Sequence, residues 1–309
     1  MTITFLQRRV MRMSNDIRSD GRKFDELRSI SIEAGILDQA DGSARVRWGI
    51  HTKKLLVDPR KESKIRSLAE QYYIMLRGKQ DKKLLVEVPE KLLPYIEDDL
   101  GKYQIIGDGF KGNVAVVAVH GPREPIPRHV GDPYRSVVRF RYTMAPFSVP
   151  ERKRPAPGRR EVEISKVCKE ALQRVVFAEE YPMTVIDVFA EILAADAGTR
   201  VTALTAASVA LADAGIPMRD LVSAVAVGRA FGHIVADLTK FEEDAEDAVD
   251  VPMAVIPGTE EFVLLQMDGR VTKKEMDDII ELGLAKAKEV AELQRKALKE
   301  KYAKVVENE

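Results

Sequence analysis

The chain has 309 residues, 45% apolar and 32% charged, with 49 basic side chains balanced by 49 acidic ones. That length can bury one large core or two medium ones, and no apolar run reaches the ~18 residues that a membrane-spanning helix requires. Cys168 is the sole cysteine, which excludes a disulfide framework and a thiolate zinc site and predicts a cytoplasmic protein.

Residues 1–15 read as an N-terminal extension. They carry arginines but lack the apolar core of a signal peptide, and a tag or codons upstream of a start at Met13 explain them better. Ile30 to Trp48 read as two strands joined at Ala40–Ser43, and Val114–His120 is apolar enough to be a central strand. Between these, residues 50–112 interrupt what should be a simple hairpin. They hold 13 basic and 10 acidic residues, an amphipathic stripe of Ile65, Leu68, Tyr72 and Met75, and a strand at Lys83–Val88. We expect an inserted α/β domain at a hairpin tip, an accessory surface whose removal leaves the rest of the chain working.

Val137–Met144 alternates apolar and basic residues, so Arg139 and Arg141 should face outward. A helix then follows from Arg160, with Ile164, Val167, Cys168, Ala171, Leu172 and Val175 on its buried face. Next come a strand at Thr184–Ile192 and a helix whose stripe is Val201, Leu204, Ser208 and Leu211. Strands are expected at Val222–Val227, Gly232–Leu238, Met253–Ile256 and Phe262–Met267. A capping box at Thr272–Glu275 opens the last helix, with Met276, Ile279, Ile280, Leu284, Ala287 and Val290 packed and a solvated, charged extension beyond. The order of elements predicts an α+β sheet covered by helices.

Charge is balanced globally but not locally. Arg123 to Arg160 holds ten basic residues, nine of them Arg, against three acidic ones; Asp237 to Asp250 holds seven acids and one Lys. Arginine grips phosphate bidentately, and clustered carboxylates hold a metal or give up a proton, so the pair of runs suggests chemistry on a nucleic acid. Plain solvated surface accounts for the same runs. Gly107–Gly112 matches a dinucleotide fingerprint, but a strand follows it where a helix is required, so it reads as a turn leaving the insert. Asp196-Ala197-Gly198-Thr199-Arg200 ends a strand and opens a helix, a place where free amides, a hydroxyl and a guanidinium can hold one phosphate. An ordinary cap by Thr199 is the alternative. Within the acidic run, Asp244 and Asp250 stand out, because Asp250 directly precedes a strand. The four histidines have no metal-ligand spacing.

RSDGRKFDELR (18–28), ADGSARVRWG (40–49), GPREPIPRH (121–129), APGRREVEISK (156–166), ADAGTR (195–200), ALADAGIPMRDL (210–221) and LLQMDGRVT (264–272) resemble the RNase PH family, most closely the catalytic RNase PH-like subunit of the archaeal exosome. The likeness covers 16–49 and 113–309. It implies a βαβα fold like domain 2 of ribosomal protein S5, and 3′→5′ phosphorolysis of single-stranded RNA 3′ ends to nucleoside diphosphates, with tail addition in reverse. It also implies a hexameric ring with a related inactive subunit, S1/KH-type RNA-binding cap subunits and Mg²⁺, with inorganic phosphate as co-substrate. By position in the family's motifs, Arg160, Gly198, Thr199 and Arg200 would bind phosphate, and Arg128 and Arg159 would bind the RNA backbone. Asp244 would protonate the departing 3′ oxygen, and Asp250 would hold the metal or orient the phosphate. The family has a short hairpin where this chain has 50–112. A free-standing tRNA-trimming RNase PH and a non-catalytic RNA-binding ring subunit are the alternatives; the RREVEISK stretch argues against the first and the retained acids against the second.

Overall fold

The structure, a computed structural model, describes residues 17–80 and 82–307; the N-terminal extension at 1–15 lies outside the described residues. Two antiparallel-dominated sheets face each other across one helix. The first sheet contains β1 (Ser29–Ala34), β2 (Gly42–Val57), β3 (Met75–Gln80), β4 (Lys83–Pro89), β5 (Tyr103–Arg123), β6 (Val137–Met144) and β7 (Val185–Ala194). Its order is β3-β4-β2-β5-β7-β6, with β1 on the stretch of β2 next to the one that β4 pairs. The second sheet, β11-β10-β8-β9, is built from β8 (Ser223–Ala230), β9 (His233–Ala236), β10 (Val249–Ile256) and β11 (Glu261–Leu265).

The helix between the sheets is α4 (Thr199–Asp213), preceded in the chain by α1 (Glu62–Ala69), α2 (Leu93–Leu100) and α3 (Arg159–Gln173). Of its 15 residues 13 are buried, most of them Ala, Thr, Ser or Val. Small side chains all round let both sheets approach it closely, so the single apolar stripe expected from the sequence is really an entire buried surface. The second sheet is covered on both faces. Ala224, Ala226 and Ala254 belong to the core around α4, whereas Val225, Val227, Val251 and Val255 pack with Ile279 and Ala287 of α6 (Lys273–Glu307). Burial on both faces explains why β8 reads as a nearly unbroken apolar run. A single turn, α5 (Lys240–Glu243), joins β9 to β10. No helix among the described residues is long and apolar enough to cross a membrane.

Two expectations change. Residues 50–112 do not interrupt the hairpin; they lengthen it. β2 and β5 pair from Gly42–Val119 to Val57–Tyr103, with one register shift between Lys54 and Leu55, straight through the expected boundary at Gly49 and Asn113. Gly107–Gly112 is therefore part of a strand and not a turn, and Gly112 lies against Gly49 where a Cβ would meet backbone at 2.3 Å. The segment has its own core, formed by Leu55, Val57, Ile65, Val86, Leu92, Ile96 and Leu100, on the sheet that also carries the main core. Met75 leaves the expected helical stripe and opens β3.

The last helix also stays packed beyond Val290. Ala291, Gln294 and Ala297 are buried and Leu298 contacts the main core. Gln294 clamps three elements: it accepts from Ser223 Oγ (2.7 Å) and donates to the carbonyls of Thr205 (3.1 Å) and Val222 (3.0 Å). Truncating it empties buried volume and takes a partner from Ser223 Oγ and the Val222 carbonyl. Gln294→Ala should lower the unfolding free energy by about 2–4 kcal/mol in chemical denaturation; a loss under about 0.5 kcal/mol would mean that the clamp is not needed.

Candidate active site

Parallel pairing of β6 with β7 puts the carboxyl ends of both strands side by side. The loops leaving them meet, with the Ala195 amide donating to the Ser148 carbonyl (2.9 Å), so the amino ends of α3 and α4 come together. Tyr142, near the end of β6, donates its hydroxyl to Thr199 Oγ1 (2.8 Å). Thr199 is thus the first residue of the helix and not its cap. Gly198 is the cap residue, in the left-handed region at φ 66°, and no side chain caps the helix. The amides of the first turn lack intrahelical acceptors, and the dipole adds positive potential there.

The loop is held from three sides. Asn113 of β5 accepts from the Asp196 amide (2.7 Å) and donates to the Ala197 carbonyl and Thr202 Oγ1. Arg28 donates to the Asp196 carbonyl (2.6 Å). Tyr73, from the segment between α1 and β3, donates its hydroxyl to Asp196 Oδ1 (2.5 Å).

The arginines at the two helix starts remain available because their nearest acids are occupied. Glu161 accepts from Lys153 (2.5 Å) and the Gly158 amide (2.8 Å), and Glu163 accepts from Gln266 (2.9 Å) and, at 3.5 Å, from Arg200. Among the described residues Arg159 and Arg160 form no ion pair, and both are exposed. Arg200 is held toward the second sheet by Gln266, with its Nε buried and without a hydrogen-bond partner among the described residues.

Across from these cations lie two carboxyl groups. Asp250 is the second residue of β10, bonded through its backbone to Asp268, and its Oδ1 is buried without a partner among the described residues. Gly228 sits opposite; a Cβ there would meet the Val249 carbonyl oxygen at 1.8 Å, so only glycine lets β10 approach at this point. Burial first, then the Glu243 carboxylate, pushes Asp250 up to about 7, against the pull of Arg200 and Arg160. Burial likewise raises Glu243, which feels Arg160 and Arg28.

The structure therefore brings Arg160, Gly198, Thr199, Arg200 and Asp250 to one place. Asp244 ends α5 in solvent, ion-paired with Lys240 (2.6 Å). Arg128 is elsewhere: β5 is antiparallel to β7, so the loop after Arg123 leaves beside Val185, about 30 Å along β7 from Ala194. Arg128 is exposed there, 3.8 Å from Glu124. Arg139 is spent on Asp187 at 2.5 and 2.6 Å. Glu243 and Tyr142 escaped the sequence reading. Nothing local marks Glu243 among its acidic neighbours, and Tyr142 reads as one more apolar position of β6.

No three acidic, His or Cys side chains cluster as a metal cage among the described residues. Mg²⁺ commonly keeps its waters and uses one or two carboxylates with substrate phosphates, and the orphaned Asp250 Oδ1 beside Glu243 fits that smaller role. An acid whose folded pKa is raised stabilises the fold below its unfolded value, near 3.8, and loses that contribution as pH rises through about 7. Wild-type stability should accordingly fall between about pH 4 and 7 relative to Asp250→Asn. Denaturation of both proteins at pH 5 and pH 7.5 checks this; parallel curves would refute it.

Comparison with known proteins agrees with the geometry. Residues 110–217 match the model of domain 1 of the 3′ exoribonuclease family, and 220–286 match domain 2. Exosome complex component Rrp41 of Thermococcus onnurineus is 43% identical over 293 residues, 95% of this chain and 92% of that protein. The same component of Thermoplasma volcanium is 42% identical over 288 residues, 93% and 91% of the two chains. Among solved structures, rice Rrp46 superposes with a TM-score of 0.64 at 20% identity, covering 91% of this chain and all of that one. An Archaeoglobus fulgidus exosome chain, from a structure with RNA bound to the active site, gives 0.59 at 18% identity, covering 90% and 92%. With its two sheets, its paired helix starts and these matches, the chain is a member of the 3′ exoribonuclease family, RNase PH type.

Proposed function

We propose that this chain is the catalytic subunit of an exosome-type 3′→5′ exoribonuclease that cleaves RNA with inorganic phosphate. The observation that carries the reading is the capless amino end of α4, facing two arginines and a carboxyl with one buried, unspent oxygen. Phosphate would bind the first-turn amides at Gly198–Arg200, with Arg160 and Arg200 neutralising it. Its oxygen would attack the phosphorus of the last phosphodiester, forming the P–O bond of a nucleoside 5′-diphosphate as the bond to the 3′ oxygen of the shortened RNA breaks. Arg159, exposed beside Arg160, is available to the RNA backbone; Arg128, at the far end of the sheet, could meet only a more distant part of the strand.

The departing 3′ oxygen needs a proton. Burial and the neighbouring Glu243 carboxylate raise the affinity of Asp250 for one, to about 7, so this carboxyl retains a proton near neutral pH and can supply it. Asp244 could supply it only if α5 turned its carboxylate away from Lys240. Bound Mg²⁺ would be held by whichever of Asp250 and Glu243 is ionised, leaving the proton on the other, and would neutralise charge on the transferred phosphoryl group. Positioning and electrostatics otherwise carry the reaction, which runs backward to add tails when diphosphates are abundant. Exposed Phe189 and Leu193 on the uncovered face of β7 suit the docking of a related, inactive ring subunit, and S1/KH-type caps would deliver the RNA.

The test incubates the full chain, with its ring partner, with single-stranded RNA, Mg²⁺ and phosphate. Nucleoside diphosphates should appear only with phosphate, and Asp250→Asn should slow their release by about 10²-fold or more. Monophosphates released without phosphate would overturn the reading. An unchanged rate in Asp244→Asn would remove Asp244 from the mechanism and leave the proton with the Asp250–Glu243 pair.

A further inference from the structure

Residues 50–112 touch the site. β2 and β5 run into the segment without a break, so it is fixed to the strands that carry Trp48 and Asn113. It also folds back on the N-terminal segment: the Tyr73 amide donates to the Ser19 carbonyl (2.9 Å), and Lys91 pairs with Glu26. Backbone at Lys91 lies so close to Gly21 that a Cβ there would meet it at 2.7 Å. At the end of this contact Tyr73, 6% exposed, reaches Asp196 of the phosphate loop and faces Phe241 of α5 with ring centroids 6.2 Å apart. The Lys111 ammonium covers its ring at 4.1 Å and lies 4.0 Å from the Asp196 carboxylate.

Asp196 stands two residues ahead of the helix cap. An aspartate near a capless helix start is the natural competitor for its amides, since a carboxylate both caps the orphan donors and answers the dipole. Here that carboxylate is 5% exposed and turned the other way, toward Tyr73, Arg28 and Lys111. We infer that segment 50–112 is part of the phosphate site, and that Tyr73 is a positioning residue that holds the Asp196 carboxylate off the amino end of α4, leaving those amides to inorganic phosphate. This rests on the phosphorolytic reading above, and it replaces the expectation of a dispensable accessory surface.

The test uses the full chain in its active assembly. In Tyr73→Phe the KM for phosphate should rise about 3–10-fold, the loss of roughly one hydrogen bond's worth of bias, with kcat and the KM for RNA within about 2-fold. Adding Asp196→Asn should bring the phosphate KM back, because the amide is a weaker competitor than the anion; a general loss of structure would not be rescued. Tyr95→Phe, on the exposed side of α2, should change nothing. An unchanged phosphate KM in Tyr73→Phe, or no rescue by the second substitution, overturns the inference. Should Tyr73→Phe fail to fold, hydrogen exchange of the wild type decides: phosphate should protect amides 71–75 together with 196–201, and protection of the loop alone overturns it. If phosphate protects both segments but no diphosphate is released, the phosphorolytic reading fails while the positioning stands.

Discussion

The buried carboxylate of Asp237 is the interaction on which the site depends. It accepts from Arg28 Nη2 (2.6 Å), Arg28 Nε (2.9 Å), the Arg28 amide (2.8 Å) and the Trp48 indole (2.9 Å), with Arg22 at 3.4 Å. These groups come from the N-terminal segment and from β2, whereas Asp237 closes β9 just ahead of α5. Its carboxyl is held far below the usual range because Arg28 and Arg22 outweigh the cost of its burial. Replacing such a charge with a neutral group would leave two buried guanidinium groups short of a counterion, which is the costly way to break a buried pair.

From this hub the constraint spreads to both halves of the candidate site. The second fork of Arg28 holds the Asp196 carbonyl and so fixes the loop that opens α4. Arg18, fully buried, donates to Glu242 (2.8 Å) and to the Asp237 carbonyl (2.9 Å), which anchors α5. Glu242 also accepts from the Thr239 amide (2.9 Å) and closes that turn. With Glu242 turned inward as an anchor, the next residue, Glu243, faces Asp250, and Asp244 falls to the solvent side. One network therefore sets the spacing between the open amino end of α4 and the acids of the second sheet and α5.

Much of this was legible where it is local. The face of α3, the capping box of α6, the outward arginines of β6 and the Gly198–Arg200 loop follow from periodicity and from a few residues in sequence. The fold class was legible too, because strand and helix patterns are local. What was not legible depends on partners far away in the chain. Asp237 looked like the first member of a solvated acidic run, yet its partners lie 189 to 215 residues upstream. Which of Glu242, Glu243 and Asp244 faces inward depends on α5 being a single turn anchored by Arg18. Tyr73 sits 123 residues from Asp196 and belongs to a segment that read as separate, since its hydrophobic pattern is complete in itself.

Hydrogen-bonding groups remain unspent at the junction of the two sheets. Buried polar atoms in folded proteins almost always find partners, so a charged side chain left short of one calls for a physical reason. Of eight unpartnered buried side-chain atoms among the described residues, Arg200 Nε and Asp250 Oδ1 belong to the candidate site, where the first-turn amides of α4 join them. Nearby acids that could have consumed the cations are already committed, Glu161 to Lys153 and Glu163 mainly to Gln266. Asp196, the acid best placed to fill the helix start, is held aside by a tyrosine from the lengthened hairpin. Donors for an anion and a carboxyl able to carry a proton therefore remain available at the junction of the sheets, and their shared environment sets the charge of each.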